Sequence, residues 1–153
     1  MAYTSSQAQA GRGTVVSIGP VVGTATPTYT QINECKTASI TGNKWNTVDV
    51  TNFNSGNAEE FLTTIIASGT IPLAGNRVSS DPGQTALFAA NGTGKLYLFE
   101  IELPLTATQT TKGDTFSFNA LVESVDFTVD VEKPVEFSAT LKISGPVAEV
   151  AGS

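Results

Sequence analysis

The stretch Asn91–Leu98, NGTGKLYL, contains a Gly-x-Gly-Lys run, and a glycine-rich turn ending in lysine is the kind of sequence that cradles phosphate. A phosphate loop needs G-x-x-x-x-G-K-[ST], because several backbone N–H groups wrap the phosphates and a hydroxyl reaches Mg²⁺. Ala89 stands where the first glycine belongs, and Leu96 where the hydroxyl belongs. The context is reversed as well, since such a loop follows a strand and opens a helix. Upstream, SDPGQTALFAANG reads as a short helix with Asp81 as N-cap, Pro82 at the first helical position, Gln84 closing a capping box and Gly92 as the left-handed stop. Downstream, KLYLFEIELP reads as a strand. The run is therefore expected to be a helix-to-strand turn, and Asn91-Gly92-Thr93, a glycosylation sequon in form, to serve as part of the cap.

Other chemistry is thinly represented. The chain has no histidine, which removes the commonest general base and metal ligand. A serine nucleophile would then need a lysine base, and no S-x-x-K occurs. Glu100 and Glu102 share one strand face, whereas the paired carboxylates of glycoside hydrolysis come from different elements that shape a cleft. DFTVDVEKPVE concentrates Asp126, Asp130, Glu132 and Glu136 but lacks the calcium-loop pattern, and reads as an acidic hairpin end turned by Lys133-Pro134. Cys35 reads as a small packing residue and Trp45 as a core or interface anchor. No catalytic residue, cofactor or metal is expected.

The composition points toward assembly. Charged residues make up 14% of the 153, against about 25% in an average protein, and Thr, Ser, Asn and Gly fill the gap. A surface poor in Lys and Glu suits one covered by partner subunits, because charges are depleted at interface cores. The net charge of −6 provides no basic patch to hold nucleic acid by counterion release. A single cysteine excludes an internal disulfide framework. No signal-like opening and no apolar run of about 20 residues is present, so no membrane partner is expected.

The elements follow from periodicity. Residues 1–13 read as a flexible arm, residues 14–147 as one β domain and residues 148–153 as a C-terminal tail. NTVDVTNF alternates, with Val48 and Val50 on one face. TIPLAGNRV reads as a strand whose Pro72 implies an edge or a strand start. Tyr97, Phe99, Ile101 and Leu103 share a face, as do Phe116, Phe118, Ala120 and Val122, and again Phe137, Ala139, Leu141 and Ile143. Polar residues fill the opposite faces, as in antiparallel sheets packed on one side. In the segment NSGNAEEFLTTIIASG, Phe61, Leu62, Ile65 and Ile66 fit helical spacing while Thr63, Thr64 and the two isoleucines favour extended chain, and it is expected to be a long, partly ordered loop from Asn52 to Ser68. The fold expected is mainly β: an antiparallel β-sandwich or open barrel with one short flanking α-helix.

The run from Asn46 to Pro104 resembles the tail tube proteins of long-tailed phages, in the lambda-like family. It shares an Asp-x-Thr strand end, a Gly- and Asn-bearing loop, Glu before Phe, a Gly-initiated strand, Asp-x-Gly-Gln opening a helix, and an aliphatic strand ending in Leu-Pro. GDTFSFNALVESVDFTVDVEKPVEFSATLKISGPV is similar to the closing strands of that family, so the resemblance spans about residues 14–147. It implies a virion protein, assembled in a bacterial cytoplasm, that forms stacked hexameric rings in which one sheet of each subunit closes an inner barrel. DNA would pass through without specific binding. The partners implied are other copies of the chain, a tape measure protein, a tail terminator and baseplate or tail-tip proteins. The alternatives are a carbohydrate- or receptor-binding β-sandwich, and a related terminator or secretion-tube protein.

Two sets of residues are expected to matter in such an assembly. Asp49, Glu123 and Asp126, on polar strand faces or strand ends, are candidates for the lumen, where carboxylates repel DNA. Phe53, Phe61, Leu62, Ile65 and Ile66 crowd the Asn52–Ser68 segment and are candidates for ring stacking. Both that segment and the N-terminal arm are expected to be mobile in the free subunit and to order on docking.

Overall fold

The computed structural model describes residues 8–153, so the first half of the expected arm lies outside the described residues. The remainder of the arm is tied down: Gln9 Nε2 donates to the Pro104 carbonyl, and the Thr14 N–H closes a turn onto the Gly11 carbonyl. In chain order the elements are β1 (Val15–Val21), β2 (Thr30–Gln31), β3 (Cys35–Ala38), β4 (Lys44–Asp49), β5 (Phe61–Ala67), β6 (Thr70–Asn76), α1 (Pro82–Thr93), β7 (Leu96–Glu102), β8 (Thr115–Thr128) and β9 (Glu136–Val150).

Seven strands form one antiparallel sheet in the order β2-β1-β7-β8-β9-β6-β3. Its two ends belong to the same stretch of chain, residues 30–38. On one side the Ile32 N–H donates to the Val16 carbonyl (2.8 Å), and on the other the Asn76 N–H donates to the Glu34 carbonyl (3.0 Å). The sheet thus curls until one short segment bridges its two edges, which makes the expected open barrel a nearly closed one. Alternation dictates what fills it. Val16, Ile18, Ile71, Leu73, Phe99, Ile101, Phe118, Ala120, Val122, Phe137, Ala139, Leu141 and Ile143 all point inward and are buried. Phe99 and Phe118 are register partners whose rings stack at 5.9 Å.

Helix α1 closes the barrel mouth with Leu87 and Ala90. Asp81 is its N-cap, accepting from the Gln84 N–H (2.9 Å), and Pro82 sits in the first turn, as expected. The capping box is not completed. The Gln84 side chain is fully buried and points inward instead, accepting from the Val78 N–H and donating to the Asn33 and Asn76 carbonyls, each at 2.9 Å. The helix also runs past Gly92 and stops at Gly94, the residue that takes the left-handed conformation (φ 64°). Gly83 sits where a Cβ would lie 2.0 Å from the Gln31 carbonyl, so the helix can cross β2 this closely only on a glycine.

Pro72 is not on an edge, because β6 lies between β9 and β3. Thr70 donates its N–H to Thr41 on the β3 side, so the nitrogen of Pro72, two residues on, faces the same way. There Ser39 and Ile40 have left the ladder, and no donor is missed.

The Asn52–Ser68 loop is also corrected. Residues 61–67 form β5, which pairs with β4 in a separate two-stranded ribbon. At its base Gly69 (φ 85°) lies so close to Thr41 that a Cβ would fall 1.9 Å from its carbonyl oxygen, and the Ser68 hydroxyl donates to the Gly145 carbonyl at 2.5 Å.

Candidate assembly surfaces

The ribbon exposes apolar side chains on both faces. Register places Trp45 opposite Ile66 and Asp49 opposite Phe61 on one face and Val48 opposite Leu62 on the other, with Ile65 in the bulge that shifts β5 by one residue between them. All are exposed, Trp45 at 58% and Ile65 at 71%, so Trp45 is not a core residue. The tip is held by its own polar groups. The Asn52 N–H donates to Ser55 Oγ (2.9 Å), the Asn54 N–H to Asn52 Oδ1 (2.9 Å), the Ser55 hydroxyl to Glu60 Oε2 (2.6 Å) and the Glu60 N–H to Thr51 Oγ1 (2.9 Å). This network presents Phe53, fully exposed, on a defined turn. Among the stacking candidates, the structure gathers Phe53, Phe61, Leu62, Ile65 and Ile66 on this one ribbon.

The long β8–β9 hairpin outruns both of its neighbours. β7 covers β8 only from Thr115 to Leu121, and the Asn91 side chain takes the Val122 carbonyl, which leaves the edge of residues 123–128 unpaired. On the far side β6 covers β9 from Glu136 to Lys142, which leaves the edge of residues 144–150 without a partner strand, only its Gly145 carbonyl being taken by the Ser68 hydroxyl. The two open half-edges lie on opposite sides and at opposite ends of the hairpin. Its tip turns at Asp130, whose carboxylate accepts from the Glu132 N–H (3.0 Å). Phe127, Val129 and Val131 stand exposed there, Val131 at 100%. Sequence reasoning saw the acids of this tip and missed the valines alternating with them.

The lumen candidates are not brought together. Glu123 is the extra residue of a bulge in β8, and Asp126, opposite Ser138, points away from the core. Asp49 closes β4, on the ribbon that leaves the sheet at its other end, and hydrogen bonds from Thr51 hold its carboxyl below the usual range.

The residues that first suggested chemistry are occupied structurally. Glu100 accepts from Lys112 Nζ (2.9 Å), and Glu102 accepts from the Gly113 N–H (3.4 Å). The same loop holds the last residues, so that the segment expected as a tail continues as β9 to Val150 and is then pinned. The Ser153 main-chain oxygen accepts from the N–H groups of Thr110, Thr111 and Lys112, and Asp114 Oδ1 accepts from Gly152 and Gln109. Cys35 lines an open groove of about 620 Å³ between residues 11–16 and 35–39, where burial, then the Asp81 charge, pushes its thiol up to about 11. A thiol that stays protonated at neutral pH is no nucleophile.

No family model and no curated protein sequence matches the chain. Solved structures do match over nearly its full length. The tail of an empty gene transfer agent particle, refined with helical C6 symmetry, gives a TM-score of 0.71 at 18% identity, covering 94% of this chain and 100% of that one. A chain of the sixfold-symmetrised anti-feeding prophage baseplate gives 0.70 at 12%, covering 97% and 98%. The SPP1 tail tube gives 0.64 at 19%, covering 91% and 77%. The mainly β barrel with one short helix described above is therefore the fold of the chains that build phage tail tubes and their relatives.

Proposed function

We propose that this chain is a structural virion protein that assembles into stacked hexameric rings forming a tail tube, the conduit through which DNA leaves the particle. The observation that carries this reading is the β8–β9 hairpin with its two open half-edges, set in a fold similar over more than nine-tenths of this chain to chains of tail and tail-tube assemblies. An unpaired strand edge invites another strand. Because β8 and β9 run antiparallel, the 144–150 edge of one copy can pair with the 123–128 edge of the next in the antiparallel sense, on strands tilted to the ring axis as barrel closure demands. Repeating one such heterologous contact closes a ring.

The outward face of this hairpin then becomes the wall of the bore. It carries Ser117, Asn119, Ser124, Asp126, Ser138, Thr140 and Lys142, with Glu123 at the bulge and Leu121 beside Lys142, a mostly polar face with little positive charge. DNA presents about one negative charge per 1.7 Å of axis, and a basic wall would bind it by counterion release. Glu123 and Asp126 are the carboxylates that keep this wall non-adhesive, while Asp49 belongs to the joint between rings. The ribbon stacks the rings. Its two apolar faces suit insertion between two surfaces, so that Trp45, Phe61 and Ile66 are covered on one side and Val48 and Leu62 on the other. Tail-tip, terminator and tape measure proteins are its further partners, and the particle tail is its location. Electron microscopy of the purified chain at rising concentration tests the reading. Rods of uniform bore are expected, and particles that remain single copies at millimolar concentration would reject it.

A further inference from the structure

Taking the tube reading as given, we propose that ring-to-ring growth is gated by like charge: both ends that must meet carry exposed apolar side chains interleaved with carboxylates. The ribbon leaves the sheet where β6 begins, at Thr70 and its partner Lys142, and the β8–β9 tip leaves it where β6 ends, at Asn76 and its partner Glu136. These are opposite ends of the barrel wall. On the ribbon Asp49, Glu59 and Glu60 are exposed, and Lys44 at the base is the one cation between Lys36 and Arg77. At the hairpin tip Asp126, Asp130 and Glu132 are exposed with Lys133 among them, while Glu136 is already matched by Lys36 at 3.1 Å. Both ends are therefore net negative.

Stacking copies in one direction brings a ribbon against a hairpin tip. Phe53, Phe61 and Ile65 on one side and Phe127, Val129 and Val131 on the other supply an attraction that salt does not screen. The carboxylates supply a repulsion that salt does screen, over a Debye length of about 10 Å at 0.1 M and about 3 Å at 1 M. Charges placed among exposed strand hydrophobics are a recognised device against premature pairing. Here they keep free copies apart until the repulsion is screened, or until a starting surface offers cations to the ribbon.

The sign of the salt dependence tests this in the full chain. The threshold concentration for rods, measured by sedimentation and checked by negative stain, is expected to fall at least about tenfold between about 20 mM and 1 M NaCl, the range over which exposed charges pass from weakly to fully screened. In Asp130→Asn with Glu132→Lys, the tip turns positive while the Asx-turn acceptor is kept, so the threshold should be low at low salt and rise with salt. Adding Asn57→Lys, Glu59→Lys and Glu60→Gln on the ribbon makes both ends positive and should restore the original direction. If the one-sided variant keeps the same sign of salt dependence as the unaltered chain, the two ends do not meet and the proposal falls. Rods whose threshold ignores salt in every form overturn the gate but leave the tube, whereas rods in no form at any salt overturn the tube and the gate together.

Discussion

Replacing Phe53 by alanine separates assembly from folding. The side chain is fully exposed in the free copy, and the turn beneath it is held by the Asn52, Ser55, Glu60 and Thr51 bonds, none of which involves the ring. Folding should hardly notice the loss, since exposed substitutions away from special features stay within about 0.5 kcal/mol. Docking should notice it strongly. Fully burying a phenylalanine side chain yields about 1.5–3 kcal/mol, and the turn is already ordered, so little backbone entropy offsets the gain. A loss of about 2 kcal/mol per joint corresponds to about a 30-fold weaker association. The threshold concentration for rods, read by pelleting at fixed ionic strength, should therefore rise about 30-fold while the denaturation midpoint of the single copy stays in place. An unchanged threshold would show that the ribbon tip touches nothing in the assembly. A lowered midpoint would show that Phe53 packs within its own subunit.

The remaining predictions concern the subunit itself. Gln84→Met keeps the volume but strands the Val78 N–H and the Asn33 and Asn76 carbonyls, and should cost about 3 kcal/mol in urea unfolding; a loss below about 1 kcal/mol would mean that water replaces the amide. Cys35, its thiol pushed up to about 11, should be alkylated in the native protein at a rate still rising about tenfold per pH unit between about pH 8 and 10, so a plateau near pH 9 would contradict its burial. Burial pushes the Asp81 carboxyl up, but hydrogen bonds from Asn33 and Gln84 and the Arg77 charge outweigh it and leave it depressed. A depressed carboxyl contributes stability above its unfolded value of about 3.9 and loses it as pH falls through the folded one. The midpoint difference between the unaltered chain and Asp81→Asn should accordingly shrink as pH drops from about 6 to below about 3, and a constant difference would assign the contribution to the neutral hydrogen bonds alone.

The strands that bury one face were legible because their sequences alternate. KLYLFEIEL and PVEFSATLKISG each send every second side chain inward, and Phe99, Ile101, Phe137, Ala139, Leu141 and Ile143 are all core residues. Of the ribbon, β4 alternates and was legible in NTVDVTNF, whereas β5 was not, for the same physical reason. FLTTIIA carries apolar residues on both faces, so no period of two survives, and its partner strand is exposed throughout. What identified the segment as an interface was the number of exposed apolar residues, not their order. Barrel closure by residues 30–38 was equally silent, because β2 has only two residues and β3 four, too short for any pattern. Gln84 looked like half of a capping box because its spacing from Asp81 is right, and only the surrounding carbonyls of Asn33 and Asn76 turn it inward. The β8–β9 stagger, which carries the functional proposal, depends on where β6 and β7 stop, and residue types on the hairpin alone do not encode that.

The most direct test of the account is a helical reconstruction of rods grown from the purified chain by cryo-electron microscopy, read for the strands that line the bore and for the contact between neighbouring copies. The account predicts sixfold rings whose inner wall is a continuous sheet, with residues 144–150 of each copy paired to residues 123–128 of the next and the β4–β5 ribbon seated on the adjacent ring. A wall built from other strands, or rings in which both half-edges of the hairpin stay open to solvent, would contradict it.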